Sequence, residues 1–189
     1  MKKNFLPAIK LTLLSLILLM GIYPIMLFAI AQLSPNKGES QMLNANGKAY
    51  YKHIGQSFTS DHYFWSRPSA VNYNAAGSGA SNKAVSNPDY IKEIEERIQD
   101  FLKRNPTVNQ SEIPVELITA SGSGLDPHLS VAALEVQVPR IAKLRNLNAE
   151  QVVELIHSHI EKPLFGFLGP EKVHVLELNL ALDELKPLK

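Results

Sequence analysis

Cysteine is absent from the 189 residues, which excludes a disulfide framework and thiolate chemistry together. Excess charge of one sign is absent as well. The 19 basic and 18 acidic residues nearly cancel, so no strongly basic surface argues for nucleic acid or anionic lipid. Aromatic residues are scarce, at 7%, with a single tryptophan, Trp65, so the place where they gather carries information. A G-x-x-x-x-G-K-S/T phosphate-binding loop is missing, and with it the means for this chain to bind and hydrolyse ATP by itself. The G-x-S-x-G nucleophile elbow is missing too; Gly122-Ser123-Gly124 has the wrong spacing.

What the chain does have is one long uncharged run. No charge occurs between Lys10 and Lys37, and the 23 residues Leu11–Leu33 contain only Thr12, Ser15 and Gln32 as strongly polar side chains. As a helix this run rises roughly 35 Å, enough to cross a hydrocarbon core of about 30 Å. Two readings compete. Ala29-Ile30-Ala31 would suit a signal-peptidase site, but a signal peptide has an apolar core of about 7–15 residues, and the length here favours an uncleaved anchor. Lys2, Lys3 and Lys10 precede the run without an acid, whereas Lys37 and Glu39 follow it and cancel. The positive-inside rule then leaves residues 1–10 in the cytoplasm, residues 11–33 in the membrane and residues 34–189 outside, in the periplasm of a bacterium with two membranes. Gly21 offers a notch for another helix, and Pro24 a bend with which the span would follow a lateral partner.

From Ser34 onward 16 basic and 18 acidic residues leave a net charge of −2. About 155 residues suffice for a core without covalent staples. Ser34–Tyr50 reads as a short polar stalk. The cluster Tyr63-Phe64-Trp65 follows, then Ser69–Asn87, whose Ser, Asn, Gly and Ala content predicts a long surface loop. Asn87-Pro88 starts a helix, with Ile91, Ile94, Ile98, Phe101 and Leu102 at helical spacing, Glu93–Arg97 and Asp100–Arg104 as i,i+4 pairs, and Pro106 closing it. Val115–Thr119 is β-prone. Ser130–Arg145 reads as a second helix disturbed by Pro139. Asn148 and Gln151 form a capping box for a third, ending near Glu161, with Val152, Leu155, Ile156 and Ile160 inward. In Val173–Leu182, leucines at 176, 178, 180 and 182 alternate with other residues, the period of a half-buried strand. The expected fold class is α+β: one N-terminal transmembrane helix and a single mixed α+β extracytoplasmic domain.

Chemistry is hard to assemble from these parts. Ser34-Pro35-Asn36-Lys37 matches S-x-x-K, but Pro and Asn directly after a membrane span suit that helix-borne pair poorly, and its S-D-N and K-T-G companions are absent. His157 and His159 lie about 200° apart around a helix axis, too far to share a metal easily. Glu154 and His157 are half of a di-metal pattern. Ser121-Gly122-Ser123-Gly124 lets a backbone approach closely, either as a tight turn or as a binding loop.

The stretches YFWSRPSA, SNPDYI, TASGSGLDPHLS, QVPRIAKLRN and FGFLGPEKVHVLELNLALD, in this order and spacing, resemble the KdpC family, a component of the Kdp potassium-transporting ATPase. Val136 stands where family members often carry an aromatic, and Lys83-Ala84-Val85 where Gly and Pro are common. The resemblance implies a non-catalytic, single-pass accessory subunit of an inner-membrane complex that imports potassium with ATP. Its partners would be a channel-like subunit (KdpA), an ATP-hydrolysing subunit (KdpB), a single-span peptide (KdpF) and membrane lipid. ATP and potassium would be handled by the complex, with no cofactor bound by this chain alone. The resemblance further implies a catalytic chaperone that raises the ATP affinity of KdpB. It marks Ser121, Gly122, Ser123, Gly124, Gln137 and Arg140 as nucleotide-linked or partner-contacting. ATP is cytoplasmic, however, and those residues belong outside, so any such influence would travel through the complex. Phe64, Trp65 and Arg67 are expected either to anchor the domain on KdpA or to serve the domain's own core. The rival reading is a membrane-anchored periplasmic binding or enzymatic domain unrelated to transport.

Overall fold

The computed structural model describes residues 2–45 and 47–187. The chain divides into two compact units, residues 1–42 and residues 43–189. In the first, helix α1 (Lys2–Leu16), a π-helical stretch (Ile17–Ile22) and helix α2 (Tyr23–Gln32) run on from one another. Asn4–Gln32 makes one helix of 29 residues with no buried residue, and its most apolar 18-residue window has mean hydropathy 2.5. The π-helical stretch ends just before Pro24, whose ring clashes with the carbonyl four residues back in a regular helix; a wider turn relieves that clash. The helix closes on Ser34, whose hydroxyl donates to the Ala31 carbonyl (2.7 Å) and accepts from the Gly38 amide (3.0 Å). The serine of the S-x-x-K match is thus a helix terminator.

The stretch expected to be a stalk instead holds a hairpin of β1 (Met42–Ala45) and β2 (Lys48–Tyr51). The Asn46-Gly47 pair between them is the strongest short hairpin signal a sequence can carry; Asn46 itself lies outside the described residues.

Helix α3 (Pro88–Arg104) begins as expected, with the Asn87 side chain accepting from the Asp89 and Tyr90 amides. Both i,i+4 pairs on its outer face form. Val115–Leu117, expected to be β-prone, is a 3-10 turn: Thr119 closes it by donating through both its amide (2.9 Å) and its hydroxyl (2.8 Å) to the Val115 carbonyl. After β3 (His128–Leu129) the expected second helix is two, α4 (Val131–Glu135) and α5 (Val138–Arg145). The break comes at Val136-Gln137, and Pro139 sits in the first turn of α5, where its missing N–H costs nothing. Helix α6 (Ala149–Ser158) starts with the expected Asn148–Gln151 capping box and ends three residues before Glu161, which belongs to β4 (Ile160–Glu161).

The largest correction is at the C-terminus. Only β5 (Lys172–His174) is a strand; Val175–Leu185 is helix α7. The alternating leucines overlie a second pattern, Val175, Leu178, Asn179 and Leu182 at helical spacing, and these four are buried. The second pattern is masked because one of its members is polar. The sheet is small and antiparallel, ordered β3-β5-β4, with Leu129 opposite Val173 and Val173 opposite Ile160. Against it and the helices packs a core of Phe64, Phe101, Leu134, Ile141, Val152, Ile156, Leu178 and Leu182. Mixed α+β is the observed class.

Candidate functional site

After a turn at Asp61-His62, residues Phe64–Pro68 cross the domain as irregular chain that joins no sheet. A buried backbone must still satisfy its polar groups, and here side chains do what a neighbouring strand would do. Asn179, on α7, grips Phe64 from both ends: its Oδ1 accepts from the Phe64 amide and its Nδ2 donates to the Phe64 carbonyl, both at 2.9 Å. Gln137 Oε1 accepts from the Trp65 amide at 2.9 Å. The Arg140 guanidinium donates to the carbonyls of Asp61 and Tyr63. Arg145 Nε donates to the His62 carbonyl at 2.7 Å. Each such bond contributes only about 1 kcal/mol net, but an orphaned buried partner costs about 1–3 kcal/mol.

These four side chains are themselves closed into the fold. Gln137 is wholly buried; its Nε2 donates to the Ala133 carbonyl (2.9 Å) and its Oε1 also accepts from Arg140 Nη2 (2.8 Å). Arg140 adds a bond to Asn105 Oδ1 (3.0 Å) and stacks 4.2 Å from the Trp65 ring centre. Burial pulls its pKa down to about 10, partly offset by the charge of Asp61. It stays a cation at neutral pH. Arg145 donates to Asp183 (2.8 Å), which also accepts from the Tyr63 hydroxyl (2.8 Å).

The expected anchor residues separate. Phe64 has no exposed surface and belongs to the core, the second of its two expected roles: the Asn179 clamp holds its backbone while the ring packs inward. Trp65 is half-buried, edge-on to Phe101, with its Nε1 donating to the Ser60 carbonyl (3.1 Å). Arg67 pairs with Asp126 at 3.1 Å.

Through Arg67 the segment reaches the Ser-Gly loop. Ser121 is buried, with its hydroxyl lacking a partner among the described residues, whereas Gly122 and Ser123 are exposed. Gly124 has φ +68°, and a Cβ there would come within 2.7 Å of Val71 Cγ2 and 2.9 Å of the Gly79 carbonyl. The long loop therefore packs on the short one. Ser69 Oγ donates to the Gly124 carbonyl (2.6 Å), and the Gly79 amide (2.8 Å) and Ser78 Oγ (3.0 Å) donate to the Ser123 carbonyl. Burial raises the Asp126 pKa, but hydrogen bonds from His128 and the charge of Arg67 outweigh it and hold the carboxyl at about 2. His53, Arg67, Ser121, Ser123 and Asp126 line an open groove of about 560 Å³.

Gln137 and Arg140 thus share one buried network, Ser121, Gly122 and Ser123 line a separate surface groove with Gly124 buried beneath the long loop, and residues 65–69 touch both. Sequence reasoning missed Asn105, Arg145, His174 and Asn179, all buried. Nothing local marks them, because their partners lie up to 122 residues away in the chain.

A model of the family described as KdpC: K+-transporting ATPase, c chain, matches residues 5–184. The potassium-transporting ATPase KdpC subunit of Flavobacterium psychrophilum is 49% identical over 185 residues, covering 97% of this chain and 100% of the relative. Its counterpart in Bacteroides fragilis is 42% identical, covering 97% and 98%. The Caldanaerobacter subterraneus protein of the same name is 44% identical, covering 96% and 95%.

Proposed function

The chain belongs to the KdpC family of the K+-transporting ATPase, and from that premise we propose that it serves as a membrane-anchored accessory subunit that works through protein contacts and never touches the nucleotide. The observation that carries this reading is Gln137: the amide is wholly buried and its Oε1 and Nε2 are both spent on groups of its own chain. Removing Gln137 would loosen the segment that carries Trp65 and Arg67. Any influence on ATP affinity then passes through the shape of the domain to its neighbours. The partners are a channel-like subunit (KdpA), an ATP-hydrolysing one (KdpB) and a single-span peptide (KdpF). The apolar helix crosses the inner membrane with its lysine-rich end in the cytoplasm, which leaves the domain on the far side from ATP.

Titrating the detergent-solubilised full chain with ATP, followed by calorimetry, tests the first half; no saturable binding below millimolar ATP is the expected result, and micromolar affinity would refute it. Replacing residues 11–33 by an unrelated span of equal length and orientation tests the second. Gly21 leaves open space beside the helix, and we assign that notch to lateral packing on the channel-like subunit. Weaker assembly and poorer growth at low potassium are expected; growth equal to the parent would make the helix a mere tether.

A further inference from the structure

The three-stranded sheet has two unlike faces. Residues directly opposite on paired strands share a face, and so do alternate residues along one strand. Leu129, Val173 and Ile160 therefore make one face, which meets the apolar core. His128, His174, Lys172 and Glu161 make the other, and every one of them is ionisable. His174 is closed off: it is buried, its Nε2 donates to the Lys52 carbonyl and its Nδ1 accepts from the Glu177 amide. His128 keeps 19% of its side chain open to water and stands between two carboxylates. Asp126 Oδ1 lies 3.6 Å from its Nδ1 and Glu161 Oε1 lies 3.7 Å from its Nε2. Each carboxylate holds a cation on its other oxygen. Arg67 Nη1 is 3.1 Å from Asp126 Oδ2, and Lys172 Nζ is 3.5 Å from Glu161 Oε2.

We propose that His128 is a proton-operated link: on taking up a proton it completes an ion-pair chain from Arg67 to Lys172 and ties the turn at Asp126 to β4. A neutral imidazole has one N–H and one lone pair, so it serves one carboxylate and turns its lone pair on the other. Protonated, it donates to both. The series Arg67, Asp126, His128, Glu161, Lys172 then alternates in sign from end to end, and without the proton its middle charge is missing. β3 and β4 lie on opposite sides of β5 and do not pair with each other, so the completed chain joins two edges of the sheet. Acid thereby couples the segment that carries Trp65 and Arg67 to the far edge. Three features direct the proton to His128 and away from His174. Burial lowers the pKa of His174, its Nδ1 lone pair is already engaged, and two ring cations with centres 5.2 Å apart would repel. The other charges around the two rings are Lys52 and Glu177, which pair at 2.7 Å, with His159 facing Glu177.

Hydrogen exchange of the detergent-held full chain, read by mass spectrometry at about pH 8 and about pH 5, brackets the range in which an imidazole changes charge. Each rate is divided by that of an unstructured peptide at the same pH, so that what remains is local opening. The expected result is that peptides carrying Asp126–Leu129 and Ile160–Glu161 gain about threefold protection in acid, the size of a partly exposed ion pair. His128→Gln and Glu161→Gln should each abolish the gain. Both side chains are partly exposed and lie off the apolar face, so neither change opens the core, and Glu161→Gln breaks the link while leaving both histidines in place. His174→Asn should keep the gain. Absence of a gain in the parent overturns the link. A gain that survives His128→Gln or Glu161→Gln overturns it too. A gain lost in His174→Asn assigns the response to the buried histidine and overturns it as well.

Discussion

From Asn4 to Gln32 the helix buries none of its side chains although its most apolar 18 residues have mean hydropathy 2.5, whereas the domain buries Gln137, Arg140, Arg145, His174 and Asn179 to 6% exposure or less. The helix puts apolar groups outside, and the domain puts polar groups inside. In the helix the backbone polar groups between the two ends are bonded within the helix, so the side chains are free to face outward. In the domain an irregular segment enters the core without a partner strand, so side chains must supply what its backbone lacks. Each region is organised by backbone hydrogen bonding, met locally in one and from more than 70 residues away in the other.

The comparison breaks most severely at Arg140. Arg140→Ala strips a donor from the carbonyls of Asp61 and Tyr63 and from Asn105 Oδ1, and leaves Gln137 Oε1 with the Trp65 amide alone. A loss of about 4 kcal/mol is expected, measured by urea denaturation of the detergent-held chain with near-ultraviolet circular dichroism. Arg140→Lys should rescue little, since one ammonium cannot reach four acceptors in the fork geometry. A loss below about 1 kcal/mol would mean that the segment does not depend on its clamp. Asn179→Ala removes the two bonds to Phe64 and should cost about 2–3 kcal/mol.

Acid should act next. Burial lowers the pKa of His174, whose Nε2 donates to the Lys52 carbonyl and whose Nδ1 accepts from the Glu177 amide. The charges facing it are Glu177, Lys52 and His128. The unfolded chain takes up a proton near 6.5 and the folded one only below that, so stability is full above 6.5 and falls as pH drops beneath it. His174→Asn, which keeps an N-cap acceptor, should remove this step from a stability-against-pH curve. Asp126 adds a second loss further down, between its ordinary 3.8 and about 2, because the folded state prefers its carboxylate. The smallest effect belongs to Lys92 and Glu96, 77% and 69% exposed and 3.9 Å apart. Lys92→Ala should change stability by no more than about 0.5 kcal/mol.

Much of this architecture is legible in the chain because its cause is local. The uncharged run, the Asn87 cap and the Asn148–Gln151 box each need only a few neighbouring residues to declare themselves. The errors have one source. Asn179 is polar because Phe64, 115 residues away, needs a partner, and that polar residue disguises the buried stripe of α7 as a strand. Gln137 and Arg140 stand out as a motif, yet a sequence cannot tell a side chain that meets a ligand from one that meets a distant backbone. The YFWSRP cluster is equally ambiguous. Burial divides it into Phe64 for the core and Trp65 and Arg67 with surface to spare.

The central claim is that the motif residues hold the domain together and do not contact nucleotide. Its most direct test is a photoreactive ATP analogue cross-linked in the assembled transporter, followed by peptide mapping of this chain. The expected result is label on the ATP-hydrolysing subunit and none on peptides carrying Ser121–Gly124 or Gln137–Arg140. ATP-competed label on either peptide would contradict the account.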